Sequence, residues 1–285
     1  MLEEYIKRAY LSYGEIASKI APNFKYVEED LKKSGMKYTL EEYLSLAIFI
    51  SLIVFVVEIP IITLILSFFI HVVFAIPLSF IFSGIGAALI FFLFTTYPRA
   101  QVSDLASKID KGLPFSVSYM TAAASSDAPP ISVFKSITKL DEYPELKEQA
   151  QNLIRDVEGL GMDILSALRR EAKRTPSKEF KDLLLGMEAT ISSGADLTLF
   201  LNNKSISLFN DYQRKIKSYA NLLSMIIEMY ITVMIVGPIF FTILSSVMGM
   251  MGGVENILAM QVLISFILMP AISVALAFYI NIASP

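Results

Sequence analysis

The 285 residues contain no cysteine and a single histidine, His71. Without thiols there is neither a disulfide framework nor a thiolate metal site, and one imidazole excludes any centre that needs several. Lys and Arg are missing from residues 44–97 and again from 222–285, so all 24 lie in 1–43 and 98–221. No GxxxxGK[ST] loop is present, which excludes a self-contained ATPase, and the HExxH, GxSxG and kinase signatures are missing too. The carboxylates of 98–221 interleave with Lys and Arg, as on a solvated helix face. No catalytic constellation emerges, so the sequence predicts neither an enzyme nor a cofactor. A net charge of −3 is too small to imply a nucleic-acid partner. The start, MLEEYIKRAY, lacks the basic beginning and short apolar core of a signal peptide. The first membrane helix is therefore expected to act as its own insertion signal.

What the chain does have is apolar length. It is 54% hydrophobic and 18% charged, with a mean hydropathy of +0.58, which matches a polytopic membrane protein. In residues 44–97 the only ionisable side chains before Tyr97 are Glu58 and His71. A bilayer core needs about 20 apolar residues per helical crossing, so this block fits two crossings and a short turn. We place the crossings near 44–66 and 74–97, with Glu58-Ile59-Pro60 as an alternative turn. Glu58 and His71 are expected near the outer interface, where their cost is low, and have no assigned role. A second block mirrors the first, with crossings at 222–248 and 257–282 around the turn MMGGVEN at 250–256. Pro77, Pro238 and Pro270 fall inside these helices, where neighbouring helices can satisfy the freed carbonyls. The predicted fold is an all-α membrane protein, with two transmembrane helical hairpins flanking a cytoplasmic helical bundle at 98–221.

Residues 2–20 carry a helical apolar stripe, ended by Pro22, and this helix is expected to pack on the protein's own soluble domain. A second short helix follows near 27–33 and stops at Ser34-Gly35. Thr39 then forms a capping box with Glu42 ahead of the first crossing. In 98–221 we expect about six short helices. Pro114, Pro129-Pro130, Pro144 and Pro176 fall at first turns, Thr175 and Asp196 at N-caps, and Gly159, Gly161 and Gly194 at helix ends. The last helix, from Asp196 to about Ala220, has no Gly or Pro to separate it from the third crossing. Lys32, Lys33 and Lys37 precede crossing one, Arg99 and Lys108 follow crossing two, and Arg214, Lys215 and Lys217 precede crossing three. The positive-inside rule then predicts a multi-pass protein of the cell membrane, with both termini and 98–221 in the cytoplasm.

Three stretches carry a family resemblance. They are DLKKSGMKYTLEEYL at 30–44, YPRAQVSDLASKIDKGLPFSVSYMTAAASSDAPPISVFKSI at 97–137, and GLGMDILSALRREAKRTPSKEFKDLLLGMEATISSGADLTLFL at 159–201. The second includes an ID-x-x-LP-F turn at Ile109, Asp110, Leu113, Pro114 and Phe115. With the order two helices, cytoplasmic helical domain, two helices, the chain resembles the type II secretion system F family. These are the platform proteins of type IV pili, Tad pili, type II secretion systems and archaella. The single cytoplasmic domain looks like the Tad-type or small archaeal form. The resemblance implies a non-enzymatic platform that docks a hexameric secretion ATPase and passes its movement to pilin subunits. It also implies a homodimer or a heterodimer with a paralogue.

Two groups stand out as candidates. Arg169, Arg170, Lys173 and Arg174 lie on one predicted helix with Glu171. The pairs Arg169/Lys173 and Arg170/Arg174 are like charges at i,i+4, which repel. The cluster is either a solvated face near anionic headgroups and nearby acids, or a docking patch for an acidic ATPase surface. Glu228 lies about 9 Å into crossing three at 1.5 Å per residue. Asn221, Ser224, Glu228 and Thr232 share one face, as do Ser79, Ser83 and Gly86 on crossing two, and such stripes favour helix packing. Glu228 is expected either to be protonated in a protein–protein contact or to face a water-filled cleft beneath the hairpins. The first is favoured, with Glu228 holding crossing three against another helix of the platform. A rival reading is a small-solute or ion transporter or channel subunit, which an intramembrane carboxylate and proline-kinked helices would suit. Four helices leave little room for a pathway, and the hairpins lack matched polar repeats.

Overall fold

The computed structural model describes residues 2–36, 38–126, 129–250 and 261–283. Its contacts divide it into two units, residues 1–205 and 206–285. The described residues are overwhelmingly helical and contain no strand. Among the described residues four helices are long and apolar enough to cross a membrane.

In the first unit, α1 (Leu2–Ile20) leads through a single 3₁₀ turn containing Pro22 to α2 (Lys25–Lys33). Gly35, at φ +73°, closes α2, a conformation that costs glycine nothing. The stripe of α1 does not meet a soluble domain as expected. Ile6, Ala9 and Ala17 are buried as α1 packs along α3 (Leu40–Ser67), where Tyr13 meets Phe49 with ring centroids 6.2 Å apart. The small residues of that stripe let α1 lie close to an apolar partner, and the start of α3 is the nearest one in sequence.

The Thr39 cap starts α3. Its hydroxyl accepts from the Glu42 amide at 3.3 Å, and the Glu42 carboxylate accepts from the Thr39 amide at 2.9 Å. Helix α3 then runs unbroken through Pro60, so the hairpin turns at 68–71 and not at Glu58-Ile59-Pro60. Helix α4 (Val72–Ala124) is 53 residues long, about 80 Å at 1.5 Å per residue. It does not stop at 97, and Pro114 lies in its interior instead of at a helix start. Pro98 supplies no amide for the Phe94 carbonyl. The Tyr43 hydroxyl donates to that carbonyl at 2.8 Å, which satisfies the group the proline orphans and lets the helix continue.

The hairpin is stitched along a face of small residues. Ala75, Ser79, Ser83 and Ala87 recur every four residues on α4 and are buried against α3. Ser51 donates to the Ala87 carbonyl at 3.0 Å and Thr63 to the Ser79 hydroxyl at 2.7 Å. Close approach of this kind is how helices associate where no water drives them together.

The far end of α4 is the spine of the polar domain. Ile109, Leu113, Val117 and Met120 follow helical spacing and are fully buried. Against them lie α5 (Pro130–Ile137), α6 (Pro144–Ile154), α7 (Ile164–Arg174) and α8 (Lys178–Ser192). These contribute Phe134, Leu153, Leu168, Phe180 and Leu183 to the core. At Gly112 the backbone of α4 comes so near α6 that an added Cβ would lie 2.6 Å from the Tyr143 ring. The ID-x-x-LP-F stretch is therefore not a turn but the packing face of a continuous helix. Phe115 stacks on Tyr143 at 6.0 Å. The Ser177 hydroxyl donates to Asp110 while accepting from the Phe180 amide at 2.9 Å. Ser177 is thus both the cap of α8 and its tie to α4. Thr175, expected as that cap, ends α7 instead.

Helix α9 (Leu197–Tyr230) begins at the Asp196 cap, which accepts from Thr198 and Leu199, and continues without a break past residue 221. In the second unit it passes through a π-helical turn at Ile231–Val236 into α10 (Gly237–Met250). The fourth crossing is helical from Gln261, with a π turn at Ile264–Leu268 leading into α11 (Met269–Ala283). Each π turn ends just before a proline, Pro238 or Pro270, and the wide turn absorbs the break in the hydrogen-bond ladder. The turns flank a cleft of about 160 Å³ lined by Gly237, Pro238, Phe241 and Leu268. Gln261 donates to Ser245 at 2.7 Å, joining the two crossings. Most of the turn expected at 250–256 lies outside the described residues.

Candidate functional site

The basic cluster sits on α7, which starts where Asp163 caps the amides of Leu165 and Ser166. Its inner face buries Ala167, Leu168 and Ala172, and its outer face carries the cations. The like-charge pairs are relieved from within the domain. Arg169 reaches across to Glu188 on α8 at 2.6 Å. Arg170 and Arg174 both turn to Asp156, at 3.6 and 2.9 Å, and Arg174 also lies 3.5 Å from Glu171. Lys173 has no ion pair among the described residues. The four cations therefore divide: Arg170 and Arg174 are structural, while Arg169 and Lys173 face outward.

Asp156 and Glu171 are the unusual members, at 1% and 0% exposure. Asp156 belongs to a π-helical turn, Arg155–Gly159, that carries the chain from α6 toward α7. Two guanidiniums face its carboxylate, the arrangement a buried charge needs. Neither Glu171 oxygen accepts a hydrogen bond. Burial pushes the Glu171 carboxyl up to about 7, although Arg174 pulls the other way. On the outer face Arg169 holds Glu188 below the usual carboxylate range.

Glu228 is exposed on α9 in the second unit. Its stripe neighbours do not bond to it. Ser224 donates to the Ala220 carbonyl at 3.1 Å, and Thr232 donates to the Glu228 carbonyl at 2.9 Å. Its carboxylate has no partner among the described residues.

A second intramembrane carboxylate proves more embedded than the sequence suggests. His71 lies at the hairpin turn, next to the start of α4, but Glu58 does not lie near an interface. It falls nine residues before the end of α3, about 14 Å from the turn, between the levels of the Ser51 and Thr63 bridges. Its carboxylate occupies the space left by Gly86 on α4, so close that an added Cβ there would lie 2.9 Å from Cδ. Glu58 Oε2 and the Ser83 hydroxyl are both buried without hydrogen bonds. The signal was present as a charge in one crossing and a glycine in the next. Pairing them needed the register between the two crossings, which stayed open while Glu58-Ile59-Pro60 remained an alternative turn. The turn at 68–71 agrees with crossings at 44–66 and 74–97. Among the described residues no group of three or more His, Asp or Glu side chains could hold a metal ion.

The chain matches the family Type II secretion system (T2SS), protein F, over residues 100–245, just over half its length. Three proteins of Methanocaldococcus jannaschii are similar to it. Uncharacterized protein MJ1286 is 24% identical over 144 residues, covering 50% of this chain and 24% of the relative. Flagella accessory protein J is 26% identical over 139 residues, covering 48% and 25%. Uncharacterized protein MJ0780 is 26% identical over 174 residues, covering 61% and 52%. The matches thus span between a quarter and about half of these relatives' lengths. No solved structure matches. The matched region holds the spine of the polar domain, the α7 cluster, the Asp110–Ser177 tie and the third crossing, and by that match the chain belongs to the type II secretion system protein F family.

Proposed function

We propose that this protein is the membrane platform of a type IV pilus-like or type II secretion machine. The observation that carries the reading is the unbroken α4, whose 53 residues join the membrane hairpin to the core of the polar domain. A displacement imposed on the domain is transmitted along such a helix, whereas a flexible linker would absorb it. Family membership and the name of one relative, Flagella accessory protein J, point the same way. The distribution of Lys and Arg supports a cytoplasmic polar domain and cytoplasmic termini, where a hexameric secretion ATPase can reach it. The outward-facing Arg169 and Lys173 are the docking side chains, with Arg170 and Arg174 holding their helix in shape. Pilin subunits lie against the membrane helices, and the platform does no covalent chemistry. Glu228, unpartnered in one chain, meets a helix of a second copy or paralogue.

The test is co-purification of the cognate ATPase with the tagged full-length protein at moderate salt. Arg169→Glu with Lys173→Glu should lose the ATPase while membrane insertion stays intact. Undiminished co-purification would return the cluster to a solvated helix face. In the membrane, Glu228→Gln should assemble filaments and Glu228→Leu should insert but fail to assemble. Equal function of the two variants would remove Glu228 from the coupling path.

A further inference from the structure

A cleft of about 530 Å³ opens between α2 and the junction of α7 with α8, all within the first unit. Its walls carry Lys32, Lys33, Lys173, Arg174, Lys178 and Lys181 against one carboxylate, Glu29. Arg174 is committed inward to Asp156, Lys32 bonds Glu28 at 2.6 Å, and Lys33 lies 4.0 Å from Glu29. Lys173, Lys178 and Lys181 have no ion pair among the described residues. Lys178 is moreover the first residue of α8, where the helix dipole disfavours a cation and favours an anion. Of the first amides of α8, that of Phe180 is taken by the Ser177 hydroxyl, while those of Lys178 and Glu179 have no intrahelical partner by helix geometry. Thr175, on the cleft wall, is 4% exposed and its hydroxyl has no partner. Convergent ammonium groups, an orphan hydroxyl and a helix N-terminus together form a receptor for a phosphate oxyanion.

The position of α2 decides where that phosphate comes from. Phe24, just before α2, packs edge-on against Phe91 of α4 with centroids 5.8 Å apart. Val27 and Leu31 form a buried cluster with Tyr43, against which Phe94 packs. Phe91 and Phe94 belong to the last turns of the apolar run of α4, and Tyr43 to the first turn of α3. The α2 wall therefore stands at the depth of the lipid headgroups. We infer that this cleft binds the phosphate of an anionic membrane lipid and so fastens the α7–α8 junction of the polar domain to the membrane face. The inference does not depend on the ATPase reading. Lys173, which that reading assigns to docking, also lines the cleft, but Lys33, Lys178 and Lys181, the lysines varied in the test, have no part in docking.

The experiment uses the full-length protein in a neutral detergent. Binding is titrated with short-chain phosphatidylglycerol, short-chain phosphatidylcholine and inorganic phosphate. Phosphatidylglycerol should bind at least tenfold more tightly than either of the others. Lys33→Gln, Lys178→Gln and Lys181→Gln together should weaken it about tenfold. Arginine at the same three positions should keep it, and removing the exposed Lys7, Lys111 and Lys139 should leave it unchanged. Equal loss in both glutamine triples would overturn the inference in favour of diffuse charge attraction. Inorganic phosphate binding as tightly as the lipid would overturn it in favour of a soluble anion. An acidic partner peptide that binds the wild type, but not the cleft triple, while phosphatidylglycerol binds both alike would reassign the cleft to a protein.

Discussion

Glu171→Gln should change how the stability of α7 depends on pH. Glu171 is fully buried, its oxygens accept no hydrogen bond, and its nearest cation, Arg174, is shared with Asp156. Burial raises its carboxyl from 4.5 to about 7. A raised folded value means that the native state holds the proton more tightly than the unfolded chain does. The resulting stabilisation is fully present below pH 4.5 and is lost as pH rises through about 7. The difference corresponds to roughly 3 kcal/mol. An amide of the same size stays neutral throughout, so the substitution should gain roughly 1–3 kcal/mol at pH 8 and nothing near pH 4.5. Asp156 remains to pair Arg174. The assay is hydrogen exchange of the α7 amides in the detergent-purified protein at several pH values, corrected for intrinsic exchange. Equal local stability of the wild type at pH 5 and 8, or an amide variant less stable than wild type at pH 8, would refute the argument.

Other expectations follow from the packing. Gly112→Val should place a branched side chain against Tyr143 and Leu146 and destabilise the polar domain by about 1–3 kcal/mol, read as a lowered thermal midpoint. Tyr43→Phe leaves the Phe94 carbonyl beside Pro98 unsatisfied. It should cost about 1–3 kcal/mol, seen as faster amide exchange in α4 around residue 98. Since the chain has no native cysteine, Thr63→Cys with Ser79→Cys gives a clean cross-linking pair. Their hydroxyls are 2.7 Å apart, so a disulfide should form readily under mild oxidation, and failure to form would contradict the hairpin register.

The coarse fold was legible because apolar length and the gaps in Lys and Arg are properties of long stretches. The Thr39 capping box and the Asp196 cap were legible because each is a local code. What was missed depended on distant partners. Crossing two was expected to end near 97 and Pro114 to start a new helix, but Tyr43, 51 residues away from Phe94, satisfies the carbonyl that Pro98 orphans and α4 continues. Which acids relieve the repulsion in the α7 cluster was not legible because Asp156 and Glu188 meet it only in three dimensions. Glu58 read as interfacial because Glu58-Ile59-Pro60 stayed open as an alternative turn, and the register that sets the carboxylate against Gly86 is a property of the packed pair of helices. The cleft was invisible because Lys32 and Lys33 lie about 140 residues from Lys173 and Lys178.

The central claim is that α4 carries movement from the polar domain to the membrane. Replacing Arg99 and Ala100 by Gly-Gly, just past Pro98, would soften the helix between the two at a helix cost of about 1 kcal/mol per glycine. The core of the polar domain, whose part of α4 begins at Ile109, would remain untouched. The measurement is filament assembly in cells, with ATPase co-purification as the control for docking. The account predicts normal ATPase binding and a loss of filaments. Wild-type filaments from a platform with a flexible α4 would contradict it.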